Sequence, residues 1–143
     1  MGLETGFKGE PEMEEAECCK RILVMDDEEV IRAVCVDLLS SLGYQVDSVV
    51  DGREMLSRYQ TALEQGCPYA LVFMDLTIQG GGLGGREAMV ELLKLDPQAK
   101  GIVCSGYTHD PVMLDCRAYG FYGKCAKPFN FKVLNQVICE ALS

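Results

Sequence analysis

Five polar side chains stand out because each follows closely on a short apolar run: Asp26 and Asp27 after "RILVM", Asp75 after "ALVFM", Ser105 after "GIVC" and Lys127 after "GKCA". Three carboxylates gathered in one pocket repel one another and lose hydration, a cost that a cation must offset. The donors are all oxygens, which selects a hard divalent ion, Mg2+ or Mn2+, over Zn2+. A divalent ion with a lysine at one edge describes a site for a transferring phosphoryl group, whose developing charge both cations stabilise. A carboxylate can accept that group as an aspartyl phosphate. Asp75 is the candidate acceptor, with Ser105 and Lys127 placed to bind phosphoryl oxygens. Singly, each residue also has a plain structural role. Asp26 or Asp27 could cap a helix beginning near Glu29, Asp75 could serve a turn, Ser105 could be a loop hydroxyl and Lys127 a solvated charge. Only their joint placement at strand ends favours the chemical reading.

Those ends belong to five candidate strands, at 21–25, 44–50, 70–74, 101–104 and 123–126. Between the first two, Val30, Ile31, Val34, Cys35, Leu38, Leu39 and Leu42 recur at helical spacing, as do Leu134, Val137, Ile138 and Ala141 near the end. Residues 52–65 and 84–95 are further helix candidates, and 111–119 a shorter one. Alternating strands and helices with near-continuous apolar strands predict a doubly wound α/β fold, a parallel sheet covered on both faces. In such sheets ligands bind beyond the carboxyl ends of the strands.

At 143 residues the chain is about one domain long. Its formal charge of −9 is unevenly placed, with six Glu against Lys8 alone in residues 1–19. That segment lacks apolar periodicity and reads as an acidic flexible tail or linker before a domain at 20–143. The 13 basic residues are scattered, which argues against a nucleic-acid surface. No apolar run approaches the ~20 residues that cross a bilayer, and the acidic N-terminus does not resemble a signal peptide, so a soluble, cytoplasmic protein is expected. Cys35, Cys104, Cys125 and Cys139 lie in apolar segments, where free cysteine packs as a small hydrophobe, so reduced thiols are expected. Without a CxxC pair, the lone His109 completes no zinc site.

The acidic pair Asp26–Asp27, Asp75, Ser105 and the Lys127-Pro128 dipeptide together resemble the response regulator receiver domain of two-component signalling, over roughly residues 20–142. "DLTIQGGGLGG" and "SGYTHDPVMLDCRAYGFYGKCAKPF" are most similar to receivers fused to hybrid sensor histidine kinases. The resemblance implies a flavodoxin-like (βα)5 sheet in the order 2-1-3-4-5 and a cis bond before Pro128. It implies Mg2+ bound by Asp27 directly, by Asp26 chiefly through water, and by Asp75 and the backbone carbonyl of Thr77. The phosphoryl donor would be a phosphohistidine on a histidine kinase or histidine phosphotransfer domain. Such a chain is a signalling domain that promotes its own phosphorylation and dephosphorylation, and not an enzyme acting on other substrates. Its output would be a two-state change of the loop after Ser105 and of the face formed by helix four, strand five and helix five, which can also pair two copies. With no output domain after the last helix, the signal is expected to leave by protein contact or onward phosphotransfer.

Gly80-x-Gly82-x-x-Gly85 is a weak dinucleotide signature here, since it follows the third strand and not the first. A flexible turn into the next helix is the expected role. Gln79 stands where receivers usually have proline, and Lys124 stands where many have the aromatic residue that swings inward, which implies no aromatic switch at that site. Gly106 and Tyr107 should border the pocket, as should Thr77. Two rival readings remain: a pseudo-receiver that acts as an interaction module without being phosphorylated, and an aspartate-nucleophile phosphatase. The second needs another acid two residues after Asp75, where Thr77 stands.

Overall fold

A computed structural model describes residues 21–142; the acidic segment 1–19 lies outside the described residues. The elements alternate as β1 (Arg21–Met25), α1 (Glu29–Ser41), β2 (Gln45–Val49), α2 (Gly52–Glu64), β3 (Leu71–Asp75), α3 (Gly85–Leu95), β4 (Gly101–Ser105), α4 (Pro111–Leu114), a 3-10 helix (Cys116–Tyr119), β5 (Gly123–Ala126) and α5 (Phe131–Leu142). The strands form one parallel sheet in the order β2-β1-β3-β4-β5. This is the expected flavodoxin-like arrangement.

Side chains alternate across each strand, so a strand buried on both faces feeds two cores. Ile22, Val24, Leu71, Phe73, Ile102 and Cys104 point to one face, where Cys35 and Leu39 of α1 and Leu134, Ile138 and Ala141 of α5 cover them. Leu23, Met25, Val72, Met74 and Val103 point to the other, beneath Met55 and Tyr59 of α2, Met89 and Leu92 of α3, and Met113 of α4. The apolar spacing read from the sequence contains the packing stripes of α1 and α5, although Val30 and Val34 of α1 are exposed. α2 is closed at its start by Asp51, whose carboxylate accepts the Glu54 N–H at 3.0 Å while Glu54 accepts the Val50 N–H at 2.9 Å.

Three local expectations need correction. Residues 111–119 do not form one helix: it breaks at Asp115, whose φ and ψ are −143° and 69°. The Met113 carbonyl, which would receive the Arg117 N–H in a continued α-helix, instead accepts the Lys124 ammonium at 2.8 Å. Cys139 is exposed while Cys35, Cys104 and Cys125 are buried, because it falls off the Leu134, Ile138, Ala141 stripe of α5. Cys67 is disulfide-bonded, so the expectation of reduced thiols does not hold for it.

Candidate functional site

Parallel register sets the polar residues level with one another. Met25 pairs with Met74, so Asp26 and Asp75 follow side by side at the ends of β1 and β3. Asp75 lies opposite Cys104, and Ser105 opposite Ala126. The Lys127 N–H then continues the ladder by donating to the Ser105 carbonyl at 3.0 Å. Asp26, Asp75 and Ser105 are the buried polar residues of the described chain, only 2%, 7% and 3% exposed. Asp26, Asp27 and Asp75 each bring a carboxylate oxygen within 4.8 Å of the others.

Lys127 is the cation among them. Its ammonium donates to Asp26 Oδ2 at 2.7 Å and to Asp75 Oδ1 at 3.1 Å. Burial favours a neutral lysine, but the hydrogen bond to Asp26 and the Asp75 charge outweigh it and raise the Lys127 pKa. Asp75 moves upward as well, to about 6, driven first by burial and then by the Asp26 charge, against the counteracting pull of Lys127. One ammonium thus fails to compensate three carboxylates, and the surplus negative charge on hard oxygen donors fits a small divalent cation.

A cleft of about 370 Å³ opens over these groups, lined also by Glu28, Thr77, Gln79, Gly106 and Tyr107. The Tyr107 N–H donates to Ser105 Oγ at 2.9 Å, leaving the serine proton to be donated elsewhere. The Tyr107 side chain is 73% exposed at the rim. Lys124 does not line the cleft, because its ammonium is turned to the Met113 carbonyl. The Lys127–Pro128 peptide bond is cis.

Neither Asp26 nor Asp27 is the N-cap of α1; that residue is Glu28, which makes no side-chain cap bond. Asp26 Oδ1 instead accepts the Glu28 N–H at 2.9 Å, which orients the carboxylate, while Arg32 holds the Asp26 carbonyl at 2.8 Å. Sequence reading missed Arg32 and Glu28. Arg32 follows Glu28 by one helical turn, the one local signal that could have drawn attention to it. Asp27 Oδ2 accepts the Gln79 N–H at 3.1 Å.

The glycine loop helps to shape the site. Gly80 and Gly81 have φ of 72° and 82°, the left-handed turn that other residues rarely adopt. A Cβ on Gly85 would lie 2.7 Å from the Asp75 carbonyl oxygen, so only glycine lets the start of α3 pack against the end of β3.

The family model for the response regulator receiver domain matches residues 22–139. Chemotaxis protein CheY of Thermotoga maritima is 31% identical over 111 residues, covering 77% of this chain and 87% of that protein. Sensor kinase CckA of Brucella abortus is 31% identical over 121 residues, 85% of this chain but only 12% of the kinase. Among solved structures, response regulator TrrA of Thermotoga maritima, in complex with Mg(2+)-BeF, superposes with a TM-score of 0.72 at 31% identity, covering 86% of this chain and 99% of that one. With sheet order, strand-end carboxylates and sequence in agreement, the chain belongs to the response regulator receiver domain family of two-component signalling.

Proposed function

We propose that Asp75 is the phosphoacceptor of a two-component phosphorelay. The observation that carries this reading is Lys127 bonded at once to Asp26 and Asp75 in a buried cluster that keeps two carboxylates in excess. With its pKa near 6, Asp75 is mainly a carboxylate at neutral pH and can act as a nucleophile. One of its oxygens attacks the phosphorus of a phosphohistidine on a histidine kinase or histidine phosphotransfer domain. The new P–O bond forms as the P–N bond breaks, and that bond's electron pair returns to the imidazole nitrogen. Lys127 and the Ser105 hydroxyl donate to phosphoryl oxygens, sharing the charge of the transferring group. Asp26, Asp27, Asp75 and the Thr77 carbonyl would hold Mg2+ or Mn2+, which would supply further positive charge to those oxygens. Hydrolysis later returns inorganic phosphate and the free carboxylate.

In this reading residues 20–143 are the receiver and 1–19 its linker, working in the cytoplasm. Phosphorylation biases the loop after Ser105 and the face of α4, β5 and α5, through which the chain meets its output partner or a second copy. Among the described residues no helix is long and apolar enough to cross a membrane.

The test is intact mass after incubation with Mg2+ and a small phosphoryl donor or a phosphorylated histidine phosphotransfer protein. One base-labile phosphoryl group is expected on the wild type, and none on Asp75→Asn or on the chelated sample. Uptake at a single site that survives Asp75→Asn would sink the assignment, and no uptake from either donor would favour an unphosphorylated interaction module.

A further inference from the structure

We propose that the backbone N–H of Gln79 is the positioning group for Asp27 as a metal ligand, so that the glycine loop and the metal site act as one unit. This rests on the metal reading above. The three carboxylates are not held alike. Asp26 has both oxygens engaged, Oδ1 by the Glu28 N–H and Oδ2 by Lys127. Asp75 is buried and tied to Lys127. Asp27 is only partly buried, and its one hydrogen bond among the described residues comes from the Gln79 N–H, 52 positions along the chain.

A carboxylate on a surface loop turns freely about its side-chain torsions, and binding a metal would have to arrest that motion. A main-chain donor arrests it beforehand, through a charge-assisted bond. Because the bond uses Oδ2, Oδ1 stays available as a ligand. The donor sits on a loop anchored at its far end. Directly after Gln79 the chain turns at Gly80 and Gly81, and the far end of the loop is tied down where the Gly52 N–H donates to the Leu83 carbonyl at 2.8 Å. The Gln79 side chain takes no part in the bond, so any residue except proline can supply the donor, and receivers with proline at this position lack this tie. Groups that orient a metal ligand typically change metal affinity by about 10–100-fold when removed.

The experiment compares Mn2+ affinity, by calorimetry or by the paramagnetic resonance of free Mn2+, for wild type, Gln79→Ala and Gln79→Pro, with circular dichroism as the folding control. It is paired with hydrogen exchange of the Gln79 amide, measured without metal in wild type and Asp27→Ala. Gln79→Ala should bind Mn2+ like the wild type, and Gln79→Pro about tenfold more weakly. The Gln79 amide should exchange faster once Asp27 is removed. Undiminished binding by Gln79→Pro, an equal loss in Gln79→Ala, or an exchange rate indifferent to Asp27→Ala would each overturn the proposal while leaving the metal site standing. A wild type that binds no Mn2+ would overturn the metal reading itself and this proposal with it. If Gln79→Pro fails to fold, the exchange arm decides.

Discussion

Arg21 begins β1 and Asp26 follows its end, and each lies in a cluster of carboxylates and cations, yet the two clusters have opposite electrostatics. At the start of the strand, Asp47 Oδ2 accepts from Tyr69 at 2.6 Å and from Arg21 at 3.1 Å, with Arg58 at 3.9 Å. Arg21 also lies 4.4 Å from the centre of the Tyr69 ring. Burial pushes Asp47 up, but the hydrogen bonds from Tyr69 and Arg21 and the two guanidinium charges outweigh it and hold its carboxyl below the usual range. At the other end three carboxylates gather beside one ammonium, which pairs with Asp26 and Asp75, and Asp75 is pushed up to about 6. The first cluster is closed: its partners satisfy one another, and it ties together β1, β2 and the segment before β3. The second is left incomplete, which costs stability in the free protein and, in the function proposed above, keeps affinity for an arriving cation and phosphoryl group. A perturbed carboxylate marks a ligand site only when its neighbours do not already balance it.

The hardest way to break this contrast is to remove the Lys127 ammonium from the incomplete cluster. Lys127→Met should destabilise the metal-free protein by about 3 kcal/mol, the usual cost of leaving a buried charge without its partner. Urea denaturation in EDTA measures it. Added Mg2+ should recover part of the loss, since a divalent ion takes over the compensation of Asp26 and Asp75.

Removing one of the repelling carboxylates should act the other way. The rise of Asp75 from 3.8 to about 6 corresponds to about 3 kcal/mol of unfavourable environment for the ionised form, so Asp75→Asn should stabilise the metal-free fold at pH 7.5 by about 2 kcal/mol after solvent relaxation. The folded pKa lies above the unfolded one, so the wild type enjoys full stability from this group below 3.8 and loses it as pH rises through about 6. The advantage of Asp75→Asn must therefore fade towards pH 4. A variant equally stabilised at both pH values would owe its gain to something other than charge.

Why these clusters were unequally legible follows from how local each signal is. Helical spacing marked faces of α1 and α5, and alternation of strand with helix marked the parallel sheet, because both depend on near neighbours. Asp26, Asp75, Ser105 and Lys127 could be picked out because each follows closely on an apolar run and the fold brings strand ends together. The order of the strands came from family resemblance, since periodicity does not encode which strands pair. Contacts between distant segments left no pattern to read. Lys124 interrupts the helix after Met113 from another strand, and Gln79 reaches Asp27 through a backbone amide that every residue but proline carries. Asp47 was hidden for a related reason: "YQVDSVV" reads as a buried strand, but β2 is at the sheet edge, where a carboxylate can meet Arg21 and Arg58.

In the closed cluster the expected effect is smaller and its pH dependence inverted. Asp47→Asn should destabilise by about 1 kcal/mol at neutral pH, since the carboxylate is partly exposed and its hydrogen bonds are screened. Its folded pKa is depressed, so the stability it provides is present above 3.8 and lost as pH falls through the lower folded value. Thermal melts of wild type and variant should therefore converge on acidification. For Asp75→Asn, too, the gap to wild type closes towards acid, but from the side of a more stable variant.

Arg58 offers the finest distinction within the closed cluster. At 3.9 Å from Asp47, with half of its side chain exposed, it contributes charge without a short hydrogen bond. Arg58→Ala should cost at most about 0.5 kcal/mol, and 1 M NaCl should abolish even that, because exposed pairs are screened beyond about 3 Å at this ionic strength. Arg21 differs in kind: it donates to Asp47, to Tyr69 at 3.0 Å and to the Cys67 carbonyl at 3.1 Å while stacking on the Tyr69 ring. The cost of Arg21→Met should therefore survive high salt in large part. If the two arginine variants lost the same amount and responded alike to salt, the cluster would be held by net charge alone, and the contrast with the acidic site would reduce to a count of charges.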